Sequence, residues 1–326
     1  MGEFDLIERY FKRPQGTGPG SPVALGIGDD CALLLPRAGT QLAISCDMLV
    51  EGRHFLPTVS PELLGHKALA VNLSDLAACG AKPLAFTLAL ALPEVNANWL
   101  QGFSRGLFAL ADAHQCRLVG GDTTRGPLNI CITVFGEVPV VDGQSQALLR
   151  SGARAGDDIW FSGTLGDARL ALEVFRGHLS VDADTFSQAR VRMERPTPRV
   201  ELGLALRGIA SAAIDISDGL LGDLSHILKA SHVGASIQTE LAIAMLGART
   251  AVTSQQALQW VLSGGDDYEL AFTAPVARRE AVHNAGQQSG TPVTRIGHIT
   301  AAAGLRLLDG NGVALANTFG SFDHFQ

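Results

Sequence analysis

The aspartates of this chain gather beside Gly, Ser and Thr. They stand in GIGDD at 26–30, SCD at 45–47, NLSD at 72–75, GGDTTRG at 120–126, DISDGL at 215–220 and SGGDD at 263–267. A single such motif reads as a helix cap or an Asx-turn, because a short carboxylate satisfies nearby backbone N–H groups. Six in one chain point to oxygen ligands for hard cations. Magnesium takes few carboxylates and usually shares its shell with substrate phosphates. The predicted chemistry is therefore phosphoryl transfer or ATP-driven activation, with the acceptor left open.

Asp75 carries the strongest physical argument. On a helix opening at Pro61, its neighbours at i−4, i−7 and i−11 are Val71, Ala68 and Leu64, so the carboxylate is expected on the apolar stripe. A charge there needs a metal or an ion pair with a distant arginine. GGDTTRG follows the strand-like RLV and reads as a glycine-rich turn whose N–H groups could cradle an anion. In DISDGL, Asp215 and Asp218 flank Ser217 just before a helix. Either the helix N-terminus receives phosphate with the carboxylates holding its cation, or Asp218 merely caps the helix.

Other chemistries drop out. No Gly-Lys pair occurs, which removes a P-loop, and no GxGxxG follows a strand. His54, in the loop EGRHF, has no partner arrangement for a nucleophile triad, and the histidines lack zinc-ligand spacing.

These residues must be held by elements that the periodicity supplies. A short amphipathic helix is expected at 3–13, a mobile Gly/Pro-rich loop at 14–22, and strands at 41–46, 84–92, 117–119 and 129–138. Between them lie a helix from the Ser60 cap and Pro61 to Gly80, and another at about 97–115. A polar hairpin near 142–145 precedes a second half. Its strands fall near 157–162, 211–216, 233–239, 268–274, 293–299 and 305–308. Its helices fall near 166, 183–194, 198–208, 219–231, 255–262 and 276–288. The predicted fold is two α/β (α+β) domains, 1–147 and 148–326.

The composition is that of a globular chain: 326 residues, 46% hydrophobic and 17% charged, enough to bury sizeable cores. The net charge of −7 argues against a nucleic-acid platform. Charged residues among the first thirty exclude a signal-peptide core, and no apolar run reaches bilayer length. Five cysteines without CxxC spacing indicate thiols. The expectation is a cytoplasmic, soluble protein with no nucleic-acid or membrane partner.

Taken in order, GIGDDCA, SCD, EGRHF, NLSDLAACGAKP, GGDTTRG, RSGARAGD, DISDGL, SGGDDYEL and the terminal DHF resemble the thiamine-monophosphate kinase family, within the aminoimidazole ribonucleotide synthetase-like superfamily. The likeness runs from about residue 3 to the end. It implies N-terminal domains paired into a dimeric β-barrel, and ATP- and Mg²⁺-dependent phosphorylation of thiamine monophosphate. By motif it implies magnesium ligands at Asp30, Ser45, Asp47, Asp75, Asp122, Asp215 and Asp218. ATP contacts are implied at Gly121, Asp122, Arg150 and Ser217, and substrate contacts at His54, Asp266 and Phe322. Three positions depart from the family pattern. Cys46 replaces the usual Thr, so only its backbone carbonyl would serve magnesium. Asp266 stands where Glu is common, and Phe322 where Tyr or Trp is frequent. No general base is required, because a phosphate monoester oxygen is already anionic at neutral pH. The alternatives are another ATP-dependent synthetase of the superfamily, which releases ADP and phosphate separately, or a protein that binds Mg-ATP without turnover.

Overall fold

The computed structural model describes residues 2–13, 21–316 and 319–320. The chain divides into two compact units: Met1–Leu76 with Ala81–Gln146, and Ala77–Gly80 with Ala147–Gln326.

The first unit opens with α1 (Glu3–Tyr10), the short pair β1 (Val23–Leu25) and β2 (Leu33–Leu34), and the eleven-residue β3 (Thr40–Val50). Then come α2 (Pro61–Ala78), β4 (Lys82–Leu92), α3 (Ala97–Ala113), β5 (Arg117–Arg125), β6 (Asn129–Val141) and β7 (Gln144–Ser145). The main sheet has the order β3-β6-β4-β5, with β7 added to β6. Only the β4–β5 pair is parallel. The hairpin between β6 and β7 turns on Asp142 and Gly143, both with positive φ (50° and 76°), as a two-residue turn requires.

Capping places α2. The Ser60 hydroxyl accepts from Leu63 N–H at 3.3 Å, and Pro61 follows at the first helical position. At the far end Gly80 adopts φ +64°, and Ala81 N–H reaches back to Leu76 O at 2.7 Å, closing the helix with a left-handed cap. The packing of α2 on α3 is set by two glycines. A Cβ on Gly65 would lie 2.0 Å from Phe103 O, and one on Gly106 would lie 1.8 Å from Glu62 O. The expected single apolar stripe is not what forms. From Leu64 to Leu76 nearly every residue of α2 is buried, Lys67 and Asn72 included, and Asp75 is only half-buried. Helix α2 is thus a core helix, and Asp75 and His66 are the two positions of that stretch that are only half-buried.

The second unit contains β8 (Asp158–Ser162), α4 (Asp167–Phe175), α5 (Ala183–Glu194), α6 (Val200–Ala205), β9 (Ala212–Asp215), α7 (Leu220–Ser231) and β10 (Gly234–Gln238). These are followed by α8 (Thr239–Ile243), α9 (Ser254–Ser263), β11 (Leu270–Ala274), α10 (Arg279–Gln288), β12 (Val293–Thr300), β13 (Gly304–Leu308) and β14 (Ala314–Leu315). Its seven-stranded sheet runs β14-β13-β10-β12-β8-β11-β9, antiparallel except at β10–β13. Both faces are covered, as unbroken burial along β8 and β11 demands. Ile159, Phe161 and Ala271 join the core with Leu170, Leu224 and Val261 of the surrounding helices. Trp160 and Phe272 stack across the strands at 6.4 Å, and His283 of α10 meets the indole edge-on.

Candidate active site

In the first unit the site is built on β3 and α2. Ser45 and Asp47 are two residues apart on β3 and share a sheet face. Ser45 Oγ donates to Asp75 Oδ2 at 2.5 Å, so a hydroxyl contacts the carboxylate for which the sequence pointed to a metal or an arginine. Asn72, one helical turn before Asp75, accepts from Asp47 N–H at 3.1 Å and donates to Ala68 O at 3.0 Å. Sequence reasoning missed Asn72. Its signal was an amide at i−3 from an aspartate inside a buried helix, where such a group must find partners.

His54 Nδ1 accepts from Val50 N–H at 3.0 Å, which assigns the ring proton to Nε2. Asp30 is exposed in the GIGDD loop, where its N–H donates to Asp29 Oδ1 at 2.8 Å.

GGDTTR is not a turn. Residues 117–125 are one strand, and Gly121 is required by the pairing itself. Its φ is +146°, and a Cβ there would lie 1.8 Å from Leu88 O on β4. The register aligns Asp47, Ile132, Leu88 and Gly121 in one row, and Met48, Cys131, Ala89 and Asp122 in the next. Successive rows face opposite sides, so Asp122 shares the face of Met48 and Cys131, not that of Ser45 and Asp47. Cys46 lies on that face also, with its Sγ 3.4 Å from Cys131 Sγ.

In the second unit, Asp215 closes β9 and is buried. The turn after it is laced to the SGGDDYEL loop through backbone: Ile216 N–H to Glu269 O (2.8 Å), Tyr268 N–H to Ile216 O (2.8 Å) and Asp266 N–H to Ser217 O (2.7 Å). Gly265 permits the approach, since a Cβ there would sit 2.7 Å from Ser217 O. Asp266 and Tyr268 have φ of +63° and +51°, a left-handed conformation that a tyrosine adopts only when its surroundings hold it there.

What holds it is a buried ionic group. Glu269 accepts from Arg192 and Arg199 at 2.5 Å, from Arg199 Nε at 2.6 Å and from Ser162 Oγ at 2.5 Å. Asp267 takes Gly166 N–H on both oxygens, at 3.0 and 3.1 Å. Burial pushes the Asp267 carboxyl well above its usual range, more than the Gly166 bond and the Arg192 charge pull it back.

The N-cap of α7 is Gly219, so Asp218 is not its cap. Asp223 Oδ2 accepts from the N–H groups of Ser217, Asp218 and Gly219 at 3.0, 3.1 and 3.2 Å. In the turn before α7 the anion is the chain's own carboxylate. Burial raises Asp223, the three N–H groups oppose the rise and the Asp218 charge adds to it, to a pKa of about 7. Arg150 is exposed, its carbonyl accepting from Ser231 Oγ at 3.2 Å.

The expected residues thus divide between the units: Asp30, Ser45, Cys46, Asp47, His54, Asp75, Gly121 and Asp122 in the first, Arg150, Asp215, Ser217, Asp218 and Asp266 in the second. Phe322 lies outside the described residues. Among the described residues no three His, Cys, Asp or Glu side chains gather closely enough to form a metal cage. Oxygen donors few in number, such as Ser45, Asp47 and Asp75, instead fit a magnesium ion that completes its shell with phosphate oxygens and water.

Comparison with known proteins agrees with this chemistry. Residues 28–138 match AIR synthase related protein, N-terminal domain, and residues 154–310 match AIR synthase related protein, C-terminal domain. The chain is 48% identical to the thiamine-monophosphate kinase of Salmonella typhimurium (strain LT2), covering 99% of this chain and 98% of that protein. Among solved structures it is similar to the thiamine-monophosphate kinase of Stenotrophomonas maltophilia K279a, at TM-score 0.83 and 45% identity over 91% of this chain and 93% of that one. It is also similar to AaThiL complexed with AMPPCP and TMP, at TM-score 0.75 and 28% identity over 89% of each chain.

Proposed function

Because the chain belongs to the thiamine-monophosphate kinase family of AIR synthase related proteins, we propose that it transfers the γ-phosphoryl group of ATP to thiamine monophosphate, giving thiamine diphosphate and ADP. The observation that carries this reading is end-to-end identity with kinases of that name. The relative that holds AMPPCP and TMP together supports the same pair of substrates.

In the reaction a phosphate oxygen of thiamine monophosphate attacks the γ-phosphorus, the bond from that phosphorus to the β,γ-bridging oxygen breaks, and ADP leaves with the electron pair. The attacking oxygen is already anionic near pH 7, so no side chain has to take a proton from it. The task left to the protein is to hold two polyanions in line. We assign magnesium ligation to Asp30, Ser45, the Cys46 carbonyl, Asp47, Asp75, Asp122, Asp215 and Asp218. Gly121, Asp122, Arg150 and Ser217 are assigned to ATP, and His54, Asp266 and Phe322 to thiamine monophosphate. When bound, magnesium supplies the charge neutralisation that lets the two phosphate chains approach. The Ser45 hydroxyl orients Asp75, and Asn72 fixes the backbone at Asp47. Arg150 offers a guanidinium for phosphate oxygens.

A homodimer belongs to this reading. β3 is an edge strand eleven residues long, and its outward face exposes Leu42 (46%), Ile44 (60%) and Met48 (52%). Such an edge calls for a partner, and a second copy of the same strand extends the sheet toward a barrel. The cytoplasm is the proposed compartment, where ATP is supplied and thiols such as Cys31 and Cys46 stay reduced. No described helix is long and apolar enough to cross a membrane.

The test is ATP consumption by purified protein with Mg²⁺ and thiamine monophosphate, with products resolved by chromatography. The expected result is ADP and thiamine diphosphate in equal amounts. ADP with free phosphate and no thiamine diphosphate overturns the reading and moves the chain to another branch of its superfamily.

A further inference from the structure

Three consecutive N–H groups converging at the start of a helix ordinarily form a receptor for an external anion. Between β9 and α7 that receptor is filled from within. One oxygen of Asp223 takes all three bonds, from Ser217, Asp218 and Gly219, and the side chain that supplies it is 4% exposed. Gly219, with φ +114°, shapes the turn so that its N–H faces inward with the other two. The carbonyls of the same turn are also engaged: Ile216 O receives Tyr268 N–H, and Ser217 O receives Asp266 N–H. The N–H groups of 217–219 are therefore held by Asp223, that of Ile216 by Glu269 O, and the carbonyls of Ile216 and Ser217 by the loop 266–268.

A turn tied in this way has no N–H groups left for a phosphate. What it offers a ligand are its side chains, Asp215, Ser217 and Asp218. We propose that Asp223 is a positioning residue for phosphoryl transfer. Its carboxylate occupies the anion receptor of the turn, fixes the direction of Ser217 and Asp218, and through the Ser217–Asp266 bond sets the loop that carries Asp266. The proposal rests on the reading of Ser217, Asp218 and Asp266 as ligand-contacting residues. It adds that a residue touching no ligand sets their geometry as one unit. Asp223 lies four residues past Gly219, the spacing at which one turn of α7 brings a side chain back to its own N-terminus.

The test compares Asp223→Ala and Asp223→Asn with the wild-type chain by hydrogen-exchange mass spectrometry without ligands, and by steady-state kinetics. In Asp223→Ala the peptides spanning 215–224 and 264–269 are expected to exchange faster, with the rest of the second unit unchanged. Its kcat/KM for thiamine monophosphate is expected to fall by about 10- to 100-fold, the usual loss when an orienting partner is removed. Asp223→Asn, which keeps one carbonyl oxygen for the N–H groups, is expected to fall between. Added formate is expected to restore part of the activity of Asp223→Ala and none of that of the wild type. A general packing defect would not respond to formate. Unchanged exchange at 215–224, or kcat/KM for Asp223→Ala within twofold of wild type, overturns the proposal. If Asp223→Ala does not fold, Asp223→Asn decides by the same two readouts. A wild-type chain that makes no thiamine diphosphate removes the functional reading instead, and the exchange experiment still decides whether Asp223 holds the turn.

Discussion

Replacing Glu269 by Gln tests whether the buried ionic group is what keeps the SGGDDYEL loop in its left-handed course. Two oxygens of Glu269 receive four bonds, three of them from the guanidinium groups of Arg192 and Arg199 and one from Ser162. The carboxylate is wholly buried and its two arginines are 20% and 14% exposed, so solvent screens the pairs little. Glutamine keeps the shape but removes the charge, and it sets an NH₂ group against donors that have no other acceptor at that point. Breaking a buried ion pair from one side costs about 3–5 kcal/mol, because the remaining charge stays desolvated. For a unit of this size that corresponds to a fall in Tm of roughly 10 °C. The assay is urea and thermal unfolding followed by tryptophan fluorescence in a Trp99→Phe background. Trp160 and Trp260 both lie in the second unit and then report that unit alone. Ser162→Ala serves as the comparison variant: it removes the bond that Ser162 Oγ donates to Glu269 and the one it accepts from Leu270 N–H, for a cost of about 2–3 kcal/mol. A loss below about 1 kcal/mol for Glu269→Gln would refute the reasoning. The left-handed conformations of Asp266 and Tyr268 would then owe their persistence to the backbone bonds alone.

Other outcomes follow from the same geometry. Asp75→Asn and Asp122→Asn are expected to lower turnover by about two orders of magnitude or more at limiting Mg²⁺, with Tm nearly unchanged; near-normal rates in either variant remove that residue from the magnesium set. Acid stability is expected to depend on Asp158. Burial alone would raise its pKa, but the hydrogen bonds and charge of Arg279, with those of Arg295, hold it below the usual range. Its contribution is therefore full above about pH 4 and is lost as pH falls through the depressed value. Asp158→Asn should flatten that acid limb when Tm is followed from roughly pH 6 downward, and parallel curves for the two proteins count against the assignment. Thiol labelling at pH 8 should be fast at exposed Cys31 and absent at Cys116, whose thiol burial pushes far up. Cys131 should react slowly, its pKa raised to about 11 by burial and by Cys46 and Asp47, which leaves about one thiolate in a thousand. Labelling of native Cys116, or of Cys131 as fast as Cys31, contradicts the described environments.

Much of the scaffold was legible because its signals are local. Ser60 and Pro61 open α2 and Gly80 closes it through bonds that span only a few residues. The turn at Asp142 and Gly143 needs only two residues that tolerate positive φ. The ordered Asp motifs carried the family and the chemistry, since oxygen ligands for a hard cation must be present as residue types before any fold places them.

Other features depend on partners remote in the chain, and a local pattern cannot name them. GGDTTR has the composition of a turn, yet it is a strand because β4, some thirty residues earlier, supplies its ladder and Leu88 O leaves no room for a Cβ at Gly121. Asp75 has the spacing of a stripe residue, but most of α2 from Leu64 to Leu76 is buried once β3 and α3 pack on it, and Ser45 becomes its neighbour. Asp223 is the local exception: its partners lie four to six residues before it, but an aspartate in the first turn of an amphipathic helix reads as one more polar residue. Only when α7 forms does its carboxylate reach the N–H groups of Ser217, Asp218 and Gly219. The sequence by itself determined which ligating atoms exist and which family of reactions they serve. Tertiary structure decided which of those atoms face a ligand and which are consumed internally, because a hydrogen bond is settled by where chain segments meet and not by their order.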